Sequence, residues 1–368
     1  MKAALIIVLT QLLSFVIYAQ INVNIGVDTS SAQAKQAIEF YSQYIDEFKT
    51  KGKVKYEKYY RKDDLKNMVY PDKVAFSLIG NTPTYNLGNP LIIALKNHDD
   101  LIHLKVLFAE SDSLGVITTY FISNHYVSFE FDQPKFLIPL VEISKTWETR
   151  TIRNVHFHYP KGYVFNKEKA DSLIQSIIQL EKDWVVSAID INYYFSKHDK
   201  EIQELKGFDF NFYMAKTEYP SGISYAKENT TFSSGWGENY FHEIVHLYLN
   251  HLFPNSPLKE GLAVFYGGSL GLYLDAHLKR LNDYLVQNPS IDISSSKEFY
   301  YMDEQTNPQY TIQAFICYLV YEKKGVFGLR KLMEYDSIEE IYLSEFGVSQ
   351  NEINSFIRRQ LSAYCRNK

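Results

Sequence analysis

Cysteine is scarce in this chain: 368 residues hold two, Cys317 and Cys365. They allow one disulfide at most, which excludes a disulfide-stapled scaffold. Paired, they would tie the last helix back to an earlier one and close a loop long enough to contribute on the order of 4 kcal/mol. Unpaired, Cys317 is one more apolar side chain in the run Gln-Ala-Phe-Ile-Cys-Tyr-Leu-Val. Neither sign of charge dominates, since 38 Lys and Arg meet 43 Asp and Glu for a formal charge of −5. Without a basic surplus to neutralise phosphates, a nucleic-acid partner is not expected. Beyond the first 19 residues no run is long and apolar enough to span a bilayer. Internal repeats and low-complexity segments are also lacking. Aromatics are plentiful, with 30 Tyr and 24 Phe. They read as core filling, with stacking surfaces for sugars or peptides as the alternative.

Residues 1–19 combine Lys2, an apolar run and the small Ala19. That pattern predicts a secretory signal cut after Ala19, and hence an exported protein, periplasmic or extracellular. The run is short and contains Thr10, Gln11 and Ser14, which disfavours a permanent anchor. No integral membrane protein is expected after cleavage. No Cys follows the cut, which argues against a lipoprotein.

The remaining length predicts two domains. Residues 20–148 read as an α+β domain: an amphipathic helix over 31–50, then strands at 74–78, 91–95, 102–108, 115–122 and 126–131. An antiparallel sheet is expected there. No catalytic constellation stands out, and its role is open. The polar stretch 144–152 marks the boundary. Residues 149–368 open with a strand carrying Val155, Phe157 and Tyr159. A helix follows over 167–184, with Ala170, Leu173, Ile174, Ile177, Ile178 and Trp184 inward. Strands are expected at 189–195, 208–214 and 224–232. After residue 268 the chain reads as helical, over 269–287 and over 309–324 to a stop at Gly325. Ser349-x-x-Glu352 is a capping box opening the last helix.

The densest chemistry lies in Phe-His-Glu-Ile-Val-His-Leu-Tyr-Leu-Asn, residues 241–250. His242 and His246, four apart, share one helix face and can bind one zinc ion. Glu243 between them can reach the attacking water. Ile244, Val245, Leu247 and Leu252 supply an apolar face, and the helix is expected over 238–253, before Pro254. A second short helix is expected over 257–268, with Ser256 as its cap and Gly267-Gly268 as its stop. Its first turn holds Glu260. Two imidazoles and one carboxylate leave a fourth position open, as catalytic zinc requires.

His-Glu-x-x-His on one helix and Glu-Gly-Leu-Ala on the next resembles the gluzincin metallopeptidases. That group includes thermolysin-like enzymes and zinc aminopeptidases, and the nearest likeness is to secreted bacterial members. The resemblance covers roughly residues 150–368, and its sharp part is 241–268. It implies a thermolysin-like catalytic domain with a sheet-bearing upper lobe and active helix (149–252) and a helical lower lobe (253–368). It implies His242, His246 and Glu260 as zinc ligands and Glu243 as general base. It also implies a peptide or protein substrate lying along an edge strand within 221–233. Members often supply an oxyanion donor from the helical lobe; Tyr310 is the candidate, with His277 second. The metzincin pattern fails, because it needs Gly at 249 and His at 252 where this chain has Leu249 and Leu252. His251 is off register, and Glu238 sits too close to His242 to hold a substrate amine as in the aminopeptidases. Two departures stand out. The interval from His246 to Glu260 is short. Val264 stands where thermolysin-like enzymes carry an Asp that orients a zinc-bound His, so that support must come from elsewhere. The rival readings are a zinc hydrolase acting on a non-peptide bond and a catalytically silent binding or scaffold protein.

Overall fold

The structure, a computed structural model, describes residues 21–66, 88–98, 100–130, 133–215, 220–294, 302–303 and 305–367. The expected signal segment and the expected strand at 74–78 lie outside these residues. The chain is α+β and divides into two compact units, Met1–Lys145 with Gln203–Thr217, and Thr146–Ile202 with Glu218–Lys368.

In the first unit β1 (Asn22–Val23) leads into α1 (Ala32–Lys51) and the single turn α2 (Tyr56–Tyr59). Ser31 caps α1, its Oγ accepting the Ala34 N–H at 3.0 Å, and Gly52 ends it in the left-handed region. Strands β2 (Asn89–His98), β3 (Leu101–Ser111), β4 (Ile117–Glu130) and β5 (Gln133–Leu137) form an antiparallel meander, and α3 (Pro139–Ile143) follows. The sheet is mixed rather than purely antiparallel, because β1 adds parallel to β2. Much of the tyrosine excess is core here: Tyr41, Tyr44 and Tyr59 are fully buried around Phe136. Residues 115–122 and 126–131, expected as two strands, belong to the single strand β4. The polar run between them does not turn the chain. Ser123 Oγ bonds His125 Nε2 at 2.9 Å, and Asn124 Oδ1 bonds His103 Nε2 at 2.7 Å. Buried polar groups so paired are tolerated inside a sheet.

In the second unit β6 (Trp147–Ile152) pairs antiparallel with β7 (Val155–Pro160). The crossover helix α4 (Lys167–Trp184) then returns the chain to β8 (Ile191–Ser196), parallel to β7. Alternation along β7 buries Val155, Phe157 and Tyr159 against α4, as the period of two demands. Ile178, expected inward, is 39% exposed; Ile177 takes the core position. Helix α5 (Asp199–Leu205) carries the chain back into the first unit, where β9 (Phe208–Asn211) pairs with β4. A linear division at 148/149 has no place for this return. Residues 224–232, expected as one strand, are instead a hairpin of β10 (Ser221–Tyr225) and β11 (Thr230–Ser234). Asn229 in the left-handed region reverses the chain. The sheet order is β10-β11-β8-β7-β6, so β10 is an edge.

Among the described residues the unit continues with the helices α6 (Phe241–Leu249), α7 (Lys259–Gly267), α8 (Leu274–Gln287), α9 (Pro308–Met333), α10 (Ile338–Phe346) and α11 (Ile353–Arg366). Gly325 breaks α9 internally at φ 58° and ψ −153°. The Ser349/Glu352 capping box closes a 3-10 turn just ahead of α11. Leu270 and Tyr273, expected within a helix, lie in the turn before α8, and Tyr273 is 76% exposed. Cys317 and Cys365 are both free thiols. Among the described residues no helix is long and apolar enough to cross a membrane.

Candidate metal centre

Helix α6 is shorter than its sequence pattern. Gly235 and Gly237 hold positive φ upstream, and Asn250 caps the other end, so the expected span 238–253 shrinks to Phe241–Leu249. Leu252 lies beyond the helix and is 43% exposed. Every residue from His242 to Leu249 is buried. Two polar pins hold the helix. Ahead of it, buried Glu238 accepts the Asn166 N–H at 2.5 Å, at the start of α4. Within it, the Tyr248 hydroxyl donates to Glu181 Oε1 at 2.6 Å, while Arg153 pairs with Glu181 Oε2 at 2.5 Å.

Helix α7 lies against α6 because its last residue lacks a side chain. A Cβ on Gly267 would stand 2.3 Å from the backbone nitrogen of His242. Likewise Gly261, next to Glu260, lets α7 rest on the α9 backbone, where a Cβ would meet Gln313 at 2.3 Å. These two contacts bring Glu260 under the α6 histidines. His242 Nε2 and His246 Nε2 are 3.2 Å apart. Glu260 Oε2 lies 3.6 Å from His242 Nε2, and Oε1 lies 3.5 Å from His246 Nε2. Among the described residues this is the group of three whose ligand atoms converge within 4.8 Å.

The outer nitrogens fix the tautomers. His242 Nδ1 bonds the Gly268 carbonyl at 2.7 Å, and His246 Nδ1 bonds Asn250 Oδ1 at 3.2 Å. A carbonyl only accepts, so Nδ1 carries the hydrogen and each neutral ring turns its Nε2 lone pair inward. Two buried lone pairs facing each other beside a carboxylate require a shared proton or cation, since each unmet acceptor costs about 1–3 kcal/mol. The spacing fits zinc: two bonds of about 2.0–2.1 Å at a tetrahedral angle separate the donors by roughly 3.3 Å. Without a cation, protons do the balancing. Burial pushes Glu260 up, but hydrogen bonds from both histidines hold it well below the carboxylate range. Burial pushes His246 down, yet Glu260 and Glu243 outweigh it and the imidazole is raised.

Gly268 and Asn250 thus supply the support that Val264 cannot. Loss of such a partner costs about 10–100-fold in metal affinity. Asn250→Ala is therefore expected to weaken zinc binding by about that factor, measured by competition with a chelating indicator. Wild-type affinity in this variant would show that the 3.2 Å contact does not orient His246. The His242 ring is also stacked on Tyr240 at 5.5 Å, and Tyr240 on Trp236 at 4.8 Å, with the ring planes nearly parallel in both pairs.

Glu243 points from α6 to β10. Ser224 Oγ lies 2.6 Å from Glu243 Oε2 and 2.7 Å from its backbone oxygen, so the hydroxyl fixes this carboxylate. Gly222 on the same strand makes room, since a Cβ there would meet Glu243 Cγ at 2.8 Å. A cleft of about 380 Å³ opens over the cluster, lined by β10, His242, His246, Glu260, Glu243, Leu270, Asn307 and Tyr310. Tyr310 therefore shares the cleft with His242, His246, Glu243 and Glu260. His277 does not line it; fully buried, it bonds Ser269 and Thr306 and ties down the turn before α8. His251 is exposed beyond α6.

Sequence reasoning missed Ser224, Asn250 and the Gly268 carbonyl. Asn250 had a visible signal, four residues after His246 on the same helix register. Ser224 and a backbone carbonyl carry none. No protein family, no curated protein and no solved structure matches the chain.

Proposed function

We propose that this chain is an exported zinc-dependent endopeptidase of gluzincin type, with β10, its sheet and α6 as a thermolysin-like upper lobe and the following helices as the lower one. One observation carries the reading. Two inward Nε2 lone pairs and a carboxylate converge in a cleft beside a second carboxylate that is hydrogen-bonded in place. That is a three-ligand catalytic set with a general base alongside. When bound, zinc supplies a Lewis acid that makes water acidic enough to attack near neutral pH. Glu243 takes the proton from the attacking water and passes it to the leaving amine. Ser224 holds Glu243 in the orientation that transfer needs. Tyr310 is the candidate donor to the developing oxyanion.

The edge position of β10 lets an extended peptide add as a further strand. Among the described residues of the cleft, the acidic side chains are Glu243 and Glu260, and no Lys or Arg lines it. Neither a terminal ammonium nor a terminal carboxylate finds a spare counter-charge, which favours internal bonds. A peptide-library digest read by mass spectrometry tests this. Internal cleavages are expected, lost with a chelator and restored by zinc. Trimming of termini alone would overturn the endopeptidase assignment. An untouched library would favour a hydrolase of another bond or a silent binding protein.

A further inference from the structure

The His242 imidazole is held at one edge and on one face. At the edge, its Nδ1 bonds the Gly268 carbonyl at 2.7 Å. A single bond fixes one point of a flat ring and leaves its plane free to tilt. The plane is set by Tyr240, whose ring centroid lies 5.5 Å away at an interplanar angle of 10°. Such offset stacking is a favoured arrangement for aromatic pairs. Trp236 stacks on Tyr240 in turn, at 4.8 Å and 7°. Tyr240 is buried, and β10 packs on its edge, where a Cβ on Gly222 would meet Cε1 at 2.3 Å. The segment that bonds His242 also closes the far end of the stack. A Cβ on Gly271 would stand 3.2 Å from Trp236 Cη2. Two backbone bonds of 2.9 Å between Ser269 and Leu272 hold that turn shut. From Gly268 through His242, Tyr240 and Trp236 to Gly271, the contacts make a closed circuit.

We propose that Tyr240 and Trp236 are positioning residues that fix the plane of the His242 imidazole, and with it the direction of Nε2, for metal binding. The inference rests on the assignment of His242, His246 and Glu260 as ligands. The Nε2 lone pair lies in the ring plane, so a ring free to tilt must be ordered again each time a metal binds. Outer partners that remove this freedom raise metal affinity. Tyr240 does so by contact with His242, and Trp236 acts through Tyr240.

The test measures the zinc affinity of the full chain by competition with a chelating indicator, alongside the melting temperature of the ion-free chain. Tyr240→Leu removes the flat face and is expected to weaken zinc binding about 3- to 10-fold, the worth of a stacked pair. Tyr240→Phe keeps the ring and is expected to stay within about twofold of wild type. Trp236→Leu is expected to cost about threefold alone and nothing further when added to Tyr240→Leu, because it reaches His242 only through Tyr240. Phe356→Leu is the control. It removes a buried aromatic that packs on Tyr342 and Phe346, and is expected to lower the melting temperature at wild-type affinity. Wild-type affinity in Tyr240→Leu overturns the inference and leaves the zinc ligands as assigned. An equal loss in Tyr240→Phe assigns the effect to the hydroxyl, and an equal loss in Phe356→Leu assigns it to the fold; either overturns the inference. Additive losses in the double variant overturn the route from Trp236 through Tyr240. Should Tyr240→Leu fail to fold, Trp236→Leu decides in its place, and wild-type affinity there overturns the inference. If wild type binds no zinc, the ligand assignment fails and this inference falls with it.

Discussion

Glu243→Gln is expected to lower kcat by about 1,000-fold while leaving one zinc bound per chain, the middle of the range for loss of a positioned general base. The substitution is close to isosteric, and the Ser224 contacts can persist because the amide oxygen also accepts. What the substitution removes is the carboxylate proposed to accept the proton. His242 and His246 keep their inward Nε2 atoms, since their orienting bonds run to Gly268 and Asn250 and not to Glu243. Metal content and turnover should therefore separate in this variant. Residual activity within tenfold of wild type would remove Glu243 from the reaction. Loss of the metal together with activity would mean that Glu243 supports the site rather than the chemistry.

Glu260→Ala should act in the opposite way, through the metal. Losing an outer partner costs about 10–100-fold in affinity, so losing a direct ligand should exceed 100-fold. The zinc-induced rise in melting temperature should shrink with it, because that rise follows ligand concentration over Kd. Proton competition adds a pH dependence. Glu260 is held below its ordinary value of 4.5, so its contribution to the ion-free fold is present above that value and lost as acid protonates it. His246 is raised above 6.5, so its contribution is complete below that value and lost as the pH rises through the folded value. The ion-free wild type should thus exceed Glu260→Ala in stability most clearly between about pH 4.5 and 6.5. Zinc affinity runs the other way and should fall from pH 8 to pH 5.5, as protons compete for the imidazoles. Denaturant titrations with and without zinc at the two pH values check both signs. A larger ion-free difference at pH 8 would contradict the proton-for-zinc exchange described here.

The parts of the fold that are legible in sequence are those decided by local pattern. Helix α4 falls on the expected 167–184 because Asn166 caps it and its apolar positions repeat at helical spacing. Gly325 breaks α9 where a stop was expected, although the helix resumes beyond it to Met333. The misreadings share a cause, which is that distant partners override local signals. Ser123-Asn124-His125 looks like a turn, yet His103 and neighbouring side chains satisfy it inside β4. The second half of the 224–232 stretch is β11 because β8 offers it a parallel edge, and Asn229 permits the reversal. Nothing in 208–211 announces that β9 pairs with β4. The site divides in the same way. His242, Glu243 and His246 follow from one helical turn, and Glu260 from the first turn of the next helix. Their alignment depends on Gly267 and Gly261, whose need for close approach is visible only once α6, α7 and α9 are packed.

The most direct test of the central claim is the zinc content of the purified full-length chain, equilibrated with limiting zinc at pH 7.5 and separated from free metal. One zinc per wild-type chain is expected, with Glu260→Ala and the double variant His242→Ala/His246→Ala near zero under the same conditions. A wild-type chain that retains no zinc, or that retains as much after these substitutions as before, would contradict the assignment of His242, His246 and Glu260 as its ligands.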